Sequence, residues 1–362
     1  MSKEKVEDLV KTALKEALEK RKTKPTVVID SSPHADAEEL FGTKPTKRIK
    51  DNQIWFSDLI GDDSVPDEEN FGVTVFQDYS WHESIQSFVP SIKEDYIIDR
   101  DLASSILMAW ELNEKVLCHG PTGAGKSSVI DQLCALTGRP LIRINSTGDM
   151  DSSMIFGQLT AKSGSTVWVD GSVTEAVRYG AVFAWDEWDV TPPEISMGLQ
   201  WLLEDDGRLF LKEMPGSTKD KQIVPHEHFR LVASGNTQGQ GDDTGSHAGT
   251  NVQNSATLDR FGTSVYIDYL HPLIEEQMIT KKFPDITKKF AKELVKLANL
   301  IRQAYKANQF NLTVSPRSLF SICRKVSAGV PLRRAYTLVY LNKLNETQRR
   351  VADELFNKVY GA

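Results

Sequence analysis

Cysteine is scarce here: Cys118, Cys134 and Cys323 are the only three in 362 residues, and no two of them form a C-x-x-C pair. That argues against a disulfide-stapled fold and a thiolate metal centre, and it fits reduced thiols in a cytosol-like compartment. Long apolar runs are missing as well. No stretch approaches the roughly 20 residues needed to cross a bilayer, and the first residues are charged, without the apolar core of a secretion signal. Positive charge is not in excess: 43 Lys+Arg stand against 50 Asp+Glu, a net charge of −7. No bulk basic field therefore draws the chain to nucleic acid or to an anionic membrane, though a local basic patch is compatible with this balance. Internal repeats and low-complexity tracts are absent. The expectation is a soluble cytoplasmic protein with no membrane attachment.

What the chain does have is one stretch that organises the rest. The apolar run Val116-Leu-Cys118 leads into Gly120-Pro121-Thr122-Gly123-Ala124-Gly125-Lys126-Ser127-Ser128, followed by a helical pattern. This matches G-x-x-x-x-G-K-[ST] in its strand–turn–helix setting. Glycines let successive N–H groups converge on an anion, and the helix adds the positive end of its dipole at the same spot. Lys126 is placed to reach the β- and γ-phosphates, and Ser127 to give a hydroxyl to Mg²⁺. A nucleoside triphosphate, ATP, with Mg²⁺ is the expected ligand.

The flanking pattern predicts an α/β fold, a parallel sheet with helices, in three parts: an extension over 1–90, the α/β domain over 91–275 and a small all-α region over 276–362. Residues 4–21 place apolar side chains at helical spacing, consistent either with packing on the chain's own domain or with a docking or oligomerisation helix. A polar linker follows. The acidic run 62–70 reads as solvated loop, and 71–79 alternates as a strand would. A helix is expected over 101–112, a hairpin within 154–169 around Lys162-Ser-Gly-Ser-Thr166, and helices from about 283 and 315 onward.

Val182-Phe-Ala-Trp-Asp186-Glu187 is an apolar strand ending in two carboxylates, at the edge where α/β sheets bind ligands. Asp186 suits a water-mediated hold on Mg²⁺, and Glu187 suits a general base acting on water. Phe229 to Asn236 is a strand ending in an amide that can orient water without adding negative charge. Two arginines complete the set. Arg260 follows the glycine-rich loop 235–249. Arg317 lies in the first turn of a helix opened by Ser315 as N-cap and Pro316 at the first helical position. An arginine can stabilise the charge on a transferring phosphoryl group, within one chain or across to another.

This order of motifs resembles the AAA+ ATPases, in the branch holding the MoxR-type proteins, the magnesium-chelatase ATPases and the ATPase subunits of aerobic cobaltochelatase, the CobS group, to which it is most similar. The Walker B run Phe183-Ala-Trp-Asp-Glu-Trp-Asp189, the following Gln200-Trp-Leu-Leu-Glu204, and the stretch from Asn236 to Arg260 carry the resemblance, which covers about 90–360. It implies Asn236 as sensor 1, Arg260 as an arginine finger reaching a neighbouring subunit, Arg317 as sensor 2, and a homo-hexameric ring. It also implies a pore-facing hairpin at 157–169 and a protein partner, either a chelatase subunit or a von Willebrand A-domain protein. In such a motor cobalt and macrocycle belong to other subunits. The first 90 residues do not match the family clearly, and a diverged relative, including one carried by a phage, could keep the motor and change its client. Three readings stand: a motor for metal insertion into a tetrapyrrole in cobalamin biosynthesis, a MoxR-like chaperone, and, disfavoured by the acidic balance, a nucleic-acid translocase. His226-x-His228 and the group Asp242, Asp243 and His247 mimic metal ligands, but are read as ordinary polar residues and as moving machinery. Trp185, Trp188 and Trp201 are expected to pack in the core or an interface.

Overall fold

The computed structural model describes residues 49–77, 79–237, 239, 241 and 250–361. The amphipathic stretch 4–21, the linker after it, and Asp242, Asp243 and His247 lie outside these residues.

The described chain opens with β1 (Gln53–Trp55), α1 (Phe56–Ile60) and β2 (Gly72–Thr74), with β1 and β2 paired antiparallel. The strand expected over 71–79 shrinks to three residues. The Val75 amide still reaches Asn52 O at 3.0 Å, but the Phe76 amide turns to Thr137 O at 2.8 Å, and Thr74 N–H and Oγ1 both donate to the Glu111 carboxylate at 2.8 Å. Phe56, Leu59, Val65, Phe71 and Val73 are buried in one cluster with Leu107, Trp110, Val129 and Leu133 of the α/β layer. A peripheral extension to residue 90 is thus corrected for its described part, which supplies one side of the core. The acidic run is also not wholly solvated. Asp62 is buried, and its Oδ1 accepts from Ser64 N–H and Oγ.

The α/β layer follows in chain order. It contains α2 (Arg100–Glu111), β3 (Val116–His119), α3 (Lys126–Thr137), β4 (Leu141–Asn145), α4 (Ser152–Phe156), β5 (Gly157–Lys162), β6 (Ser165–Asp170), α5 (Ser172–Tyr179) and β7 (Val182–Asp186). Then come α6 (Pro193–Leu199), the short pair β8 (Leu209–Phe210) and β9 (Gln222–Ile223), β10 (Arg230–Gly235), α7 (Ser255–Asp259) and β11 (Thr263–Tyr266). Five strands form a parallel sheet in the order β11-β3-β10-β7-β4. Its three inner strands, β3, β10 and β7, are buried along nearly their whole length because both faces are covered, whereas the edge strands β4 and β11 are partly exposed. Leu117, Phe183, Trp185 and Leu231 face one core cluster, whereas Val116, Cys118, Val182 and Val232 face the other. The register sets Gly235 beside His119, and Ser234 and Asn145 beside Asp186. The C-terminal ends of four strands therefore meet at one edge.

The hairpin β5–β6 turns on Ser163 and Gly164, both at positive φ (51° and 80°), as a two-residue hairpin turn of the right hand requires. Residues 152–156, expected in part as strand, form α4 instead, and Asp151 caps it by accepting from Ser153 N–H at 2.8 Å. Trp185 and Trp188 lie in the core as expected, but Trp201 is 41% exposed.

Five helices close the chain: α8 (Pro272–Lys282), α9 (Lys288–Lys306), α10 (Pro316–Ser327), α11 (Leu332–Val339) and α12 (Glu346–Tyr360). Leu294, Leu297 and Ile301 of α9 meet Leu319, Ile322, Tyr336 and Phe356 in a separate core, while Phe290 and Tyr305 pack at its margin. All three cysteines are free and buried, and burial pushes the Cys118 thiol up to about 12, so it is an inert packing residue.

Candidate nucleotide-binding and hydrolysis site

The site grows from the sheet edge where β3, β7 and β10 end. After His119 the chain must turn under the hinge segment that follows β11. A Cβ on Gly120 would stand 2.0 Å from the Ile267 carbonyl oxygen, so only glycine fits there. Lys126, at the first turn of α3, folds back across the loop. Its Nζ donates to Gly120 O at 2.7 Å, Pro121 O at 3.2 Å and Asn236 Oδ1 at 2.9 Å. Thr122 Oγ1 donates to the same Asn236 oxygen at 3.3 Å, and Ala124 is buried beneath the loop. Burial pulls the Lys126 ammonium below its usual pKa, and Glu187, Asp189 and Asp186 oppose that shift. An incoming polyphosphate would oppose it further.

Asp186 is buried at the end of β7, where three side chains converge on its carboxylate. Ser127 Oγ donates to its Oδ2 at 3.1 Å, Ser234 Oγ to its Oδ1 at 2.7 Å, and Arg143 Nε meets Oδ2 at 2.9 Å. Two oxygen donors side by side, the Ser127 hydroxyl and the Asp186 carboxylate, suit a hard divalent ion that keeps other ligands for water and phosphate and that would displace Arg143 from Oδ2. The residues fit Mg²⁺. Glu187, next along, has φ 54° and ψ 38°, a left-handed conformation uncommon for a non-glycine residue. Asn236 Nδ2 donates to Glu187 Oε2 at 2.7 Å. One amide thus spans from the lysine to the glutamate.

A cleft of about 510 Å³ opens beside the loop, walled by Gly123, Ala124, Gly125 and Ser128, by the segment before α2, by the hinge after β11, and by Pro316, Arg317 and Phe320 of α10. Its volume suits a small organic ligand such as a nucleoside. Arg317 is exposed on that wall. Ser315 occupies the N-cap position but makes no side-chain cap, a departure from the expected role. Its Cβ is turned to the loop, 2.5 Å from where a Cβ on Gly123 would be. Arg260 is not drawn to this centre. Its Nε donates to Glu204 Oε1 at 2.6 Å and its Nη1 to Ala256 O at 2.5 Å.

Two residues escaped the sequence reading. Asp189 is fully buried and binds the Asn236 amide at 3.0 Å and the Thr237 amide and hydroxyl at 2.9 and 2.8 Å, which fixes the turn carrying Asn236. Its signal was a third acid three residues after Asp186. Arg143 also pairs with Asp131 at 2.9 Å and donates to Ser127 O at 3.1 Å. A lone cation inside the apolar strand Leu141-Ile-Arg-Ile144 was the clue. His226 and His228 have ring centres 5.2 Å apart, and among the described residues no three acidic, His or Cys side chains gather as a metal cluster.

A phosphate loop at the first inner strand, paired acids at the end of a second, an amide at the end of a third and a helical region over the cleft define an ATPase of the AAA+ class. Within that class the chain is similar to the motors of the MoxR and chelatase branch. Residues 115–261 match the family described as AAA domain (dynein-related subfamily), and residues 275–353 match the CbbQ/NirQ/NorQ C-terminal family. A similar relative is the aerobic cobaltochelatase subunit CobS of Sinorhizobium sp, 28% identical over 308 residues, covering 83% of this chain and 91% of that protein. Midasin of Dictyostelium discoideum is 29% identical over 198 residues, 53% of this chain but only 3% of midasin. Among solved structures, the RuvB Holliday junction branch migration motor of Thermotoga maritima aligns with a TM-score of 0.40 at 15% identity, over 75% of this chain and 73% of RuvB.

Proposed function

We propose that this ATPase works as a Mg²⁺-dependent homo-hexameric ring that converts ATP hydrolysis into remodelling of a partner protein. The observation that carries the reading is the line Lys126–Asn236–Glu187, in which one amide joins a phosphate-binding cation to a carboxylate able to take a proton from water. Ser127 and Asp186 hold Mg²⁺ in this reading, and the ion neutralises charge on the β- and γ-phosphates. Glu187 is the general base, and Asn236 keeps its carboxylate aimed past the lysine. The loop amides from Gly120 to Ser128 cradle the phosphates. Arg317 faces the nucleotide from the lid. Arg260, engaged with Glu204 on its own chain, serves an adjoining copy as the finger in trans, which is why the ring is part of the proposal.

The client is a separate chelatase subunit, by likeness to a relative named as part of aerobic cobaltochelatase. A MoxR-like chaperone role, with a von Willebrand A-domain partner, is the second reading, favoured by the match of the helical region to the CbbQ/NirQ/NorQ C-terminal family. Lys126→Ala is expected to abolish ATP binding, and Glu187→Gln to bind ATP without turnover. The second variant should therefore hold its client, and a pull-down with it from the native host tests the role. Recovery of a large chelatase subunit supports metal insertion. Recovery of an unrelated complex with no tetrapyrrole enzyme contradicts it and assigns the motor to another client.

A further inference from the structure

The segment between β11 and α8 lies against the phosphate loop and touches it in order. The Ile267 amide donates to His119 O at 2.8 Å, and its carbonyl fills the space where a Gly120 Cβ would be. Two residues on, the Tyr269 hydroxyl donates to Thr122 O at 2.9 Å. At the next loop position, Gly123 leaves room for Ser315, the residue that opens α10. Gly120, Thr122 and Gly123 are thus each touched by the hinge or by the lid.

Arg302 of α9 binds these contacts into one unit. Its guanidinium lies 4.0 Å from the centre of the Tyr269 ring. Its Nε donates to Val314 O at 2.8 Å, immediately before Ser315, and its two terminal nitrogens grip Glu275 of α8 at 2.6 and 2.8 Å. Arg302 and Glu275 are 4% and 2% exposed, so this pair is paid for by desolvation and held by geometry. Tyr269, the start of α8 and the start of α10 cannot shift independently.

We propose that Tyr269, held by Arg302, is a positioning residue that couples nucleotide occupancy of the phosphate loop to the angle of the helical lid. The inference rests on the loop being a nucleotide site. Phosphates draw the loop N–H groups inward, and the peptide that carries Thr122 O turns with them. The hydroxyl anchored on that carbonyl carries the movement to Arg302 and Val314, and so to Arg317 on the cleft wall.

Tyr269→Phe keeps the ring over Arg302 and removes only the hydroxyl. Binding of fluorescent ADP and of a non-hydrolysable ATP analogue should weaken about fivefold, the extra strength this bond gains in the nucleotide-bound loop, while Tm of the nucleotide-free protein falls by no more than a few degrees. Nucleotide should slow amide exchange in residues 316–327 of the wild type and fail to do so in the variant. Arg302→Lys, which keeps the charge on Glu275 but loses the planar stack, should lose the same protection. Unchanged affinity with retained protection overturns the proposal, as does a lowered Tm with unchanged affinity. Wild-type protein that binds no nucleotide, or Lys126→Ala protein that binds as well as wild type, would instead sink the site itself.

Discussion

Asn236 lets opposite charges coexist at the centre of this site. Its amide oxygen accepts from Lys126 and its amide nitrogen donates to Glu187, so one neutral side chain stands between the cation and the carboxylate. The loop, the paired acids and Asn236 were legible in the sequence because their chemistry is local, with fixed residue types at fixed spacing. Asp189 and Arg143 were not, because their partners arrive from other strands and no local rule names them. His228 is a further case. It stands edge-on to Phe76, Tyr79 and Trp81, and burial pulls its imidazole below the usual value of 6.5, with Glu227 opposing. The folded form therefore takes up a proton less readily than the unfolded chain. Its contribution is complete above pH 6.5 and is lost as pH falls below that value towards the depressed one. Tm measured across the range below 6.5 should drop more steeply for wild type than for His228→Phe, and parallel curves would contradict this account of His228.

At the scale of elements, periodicity and turn chemistry located β3, β7 and β10, the hairpin and the long α9, each of which is specified by its own residues, whereas the edge strand β11 carries too little apolar pattern to be read. The first 90 residues misled because β1 and β2 are only three residues each, and the buried side chains around them, such as Phe56, Leu59, Phe71 and Val73, pack with distant helices. Short elements carry little pattern, and side-chain bonds such as those Thr74 donates to Glu111 leave no periodic trace. Removal of residues 1–90 strips Phe56, Leu59, Val65, Phe71 and Val73 from their places over Leu107 and Trp110. Each such side chain is worth roughly 1.5–3 kcal/mol when buried, so the sum rivals the whole stability of a domain, about 5–15 kcal/mol. The truncated protein is expected to lack a cooperative unfolding transition and to bind no nucleotide. A truncated protein that melts cooperatively and hydrolyses ATP would restore the peripheral reading.

For the whole molecule, the net charge of −7 conceals a division. Residues 276–362 hold 17 of the 43 Lys+Arg but only 6 of the 50 Asp+Glu, so the helical lid is basic and the rest of the chain strongly acidic. The overall acidity therefore does not describe the lid, whose surface favours an acidic neighbour; in a ring, the α/β part of the adjoining copy is such a neighbour. The placement of Arg260 on Glu204, away from its own Lys126–Asn236–Glu187 line, fits the same head-to-tail arrangement. The most direct measurement is a mixing experiment with two inactive variants. Lys126→Ala subunits cannot hold ATP but keep Arg260, and Arg260→Ala subunits hold ATP but lack the finger. Mixed at ring-forming concentration, they should recover ATPase activity well above either alone, because some sites then receive an intact loop from one copy and an intact arginine from the next. Full activity of Arg260→Ala by itself, or no recovery in rings shown to contain both variants, would contradict the account.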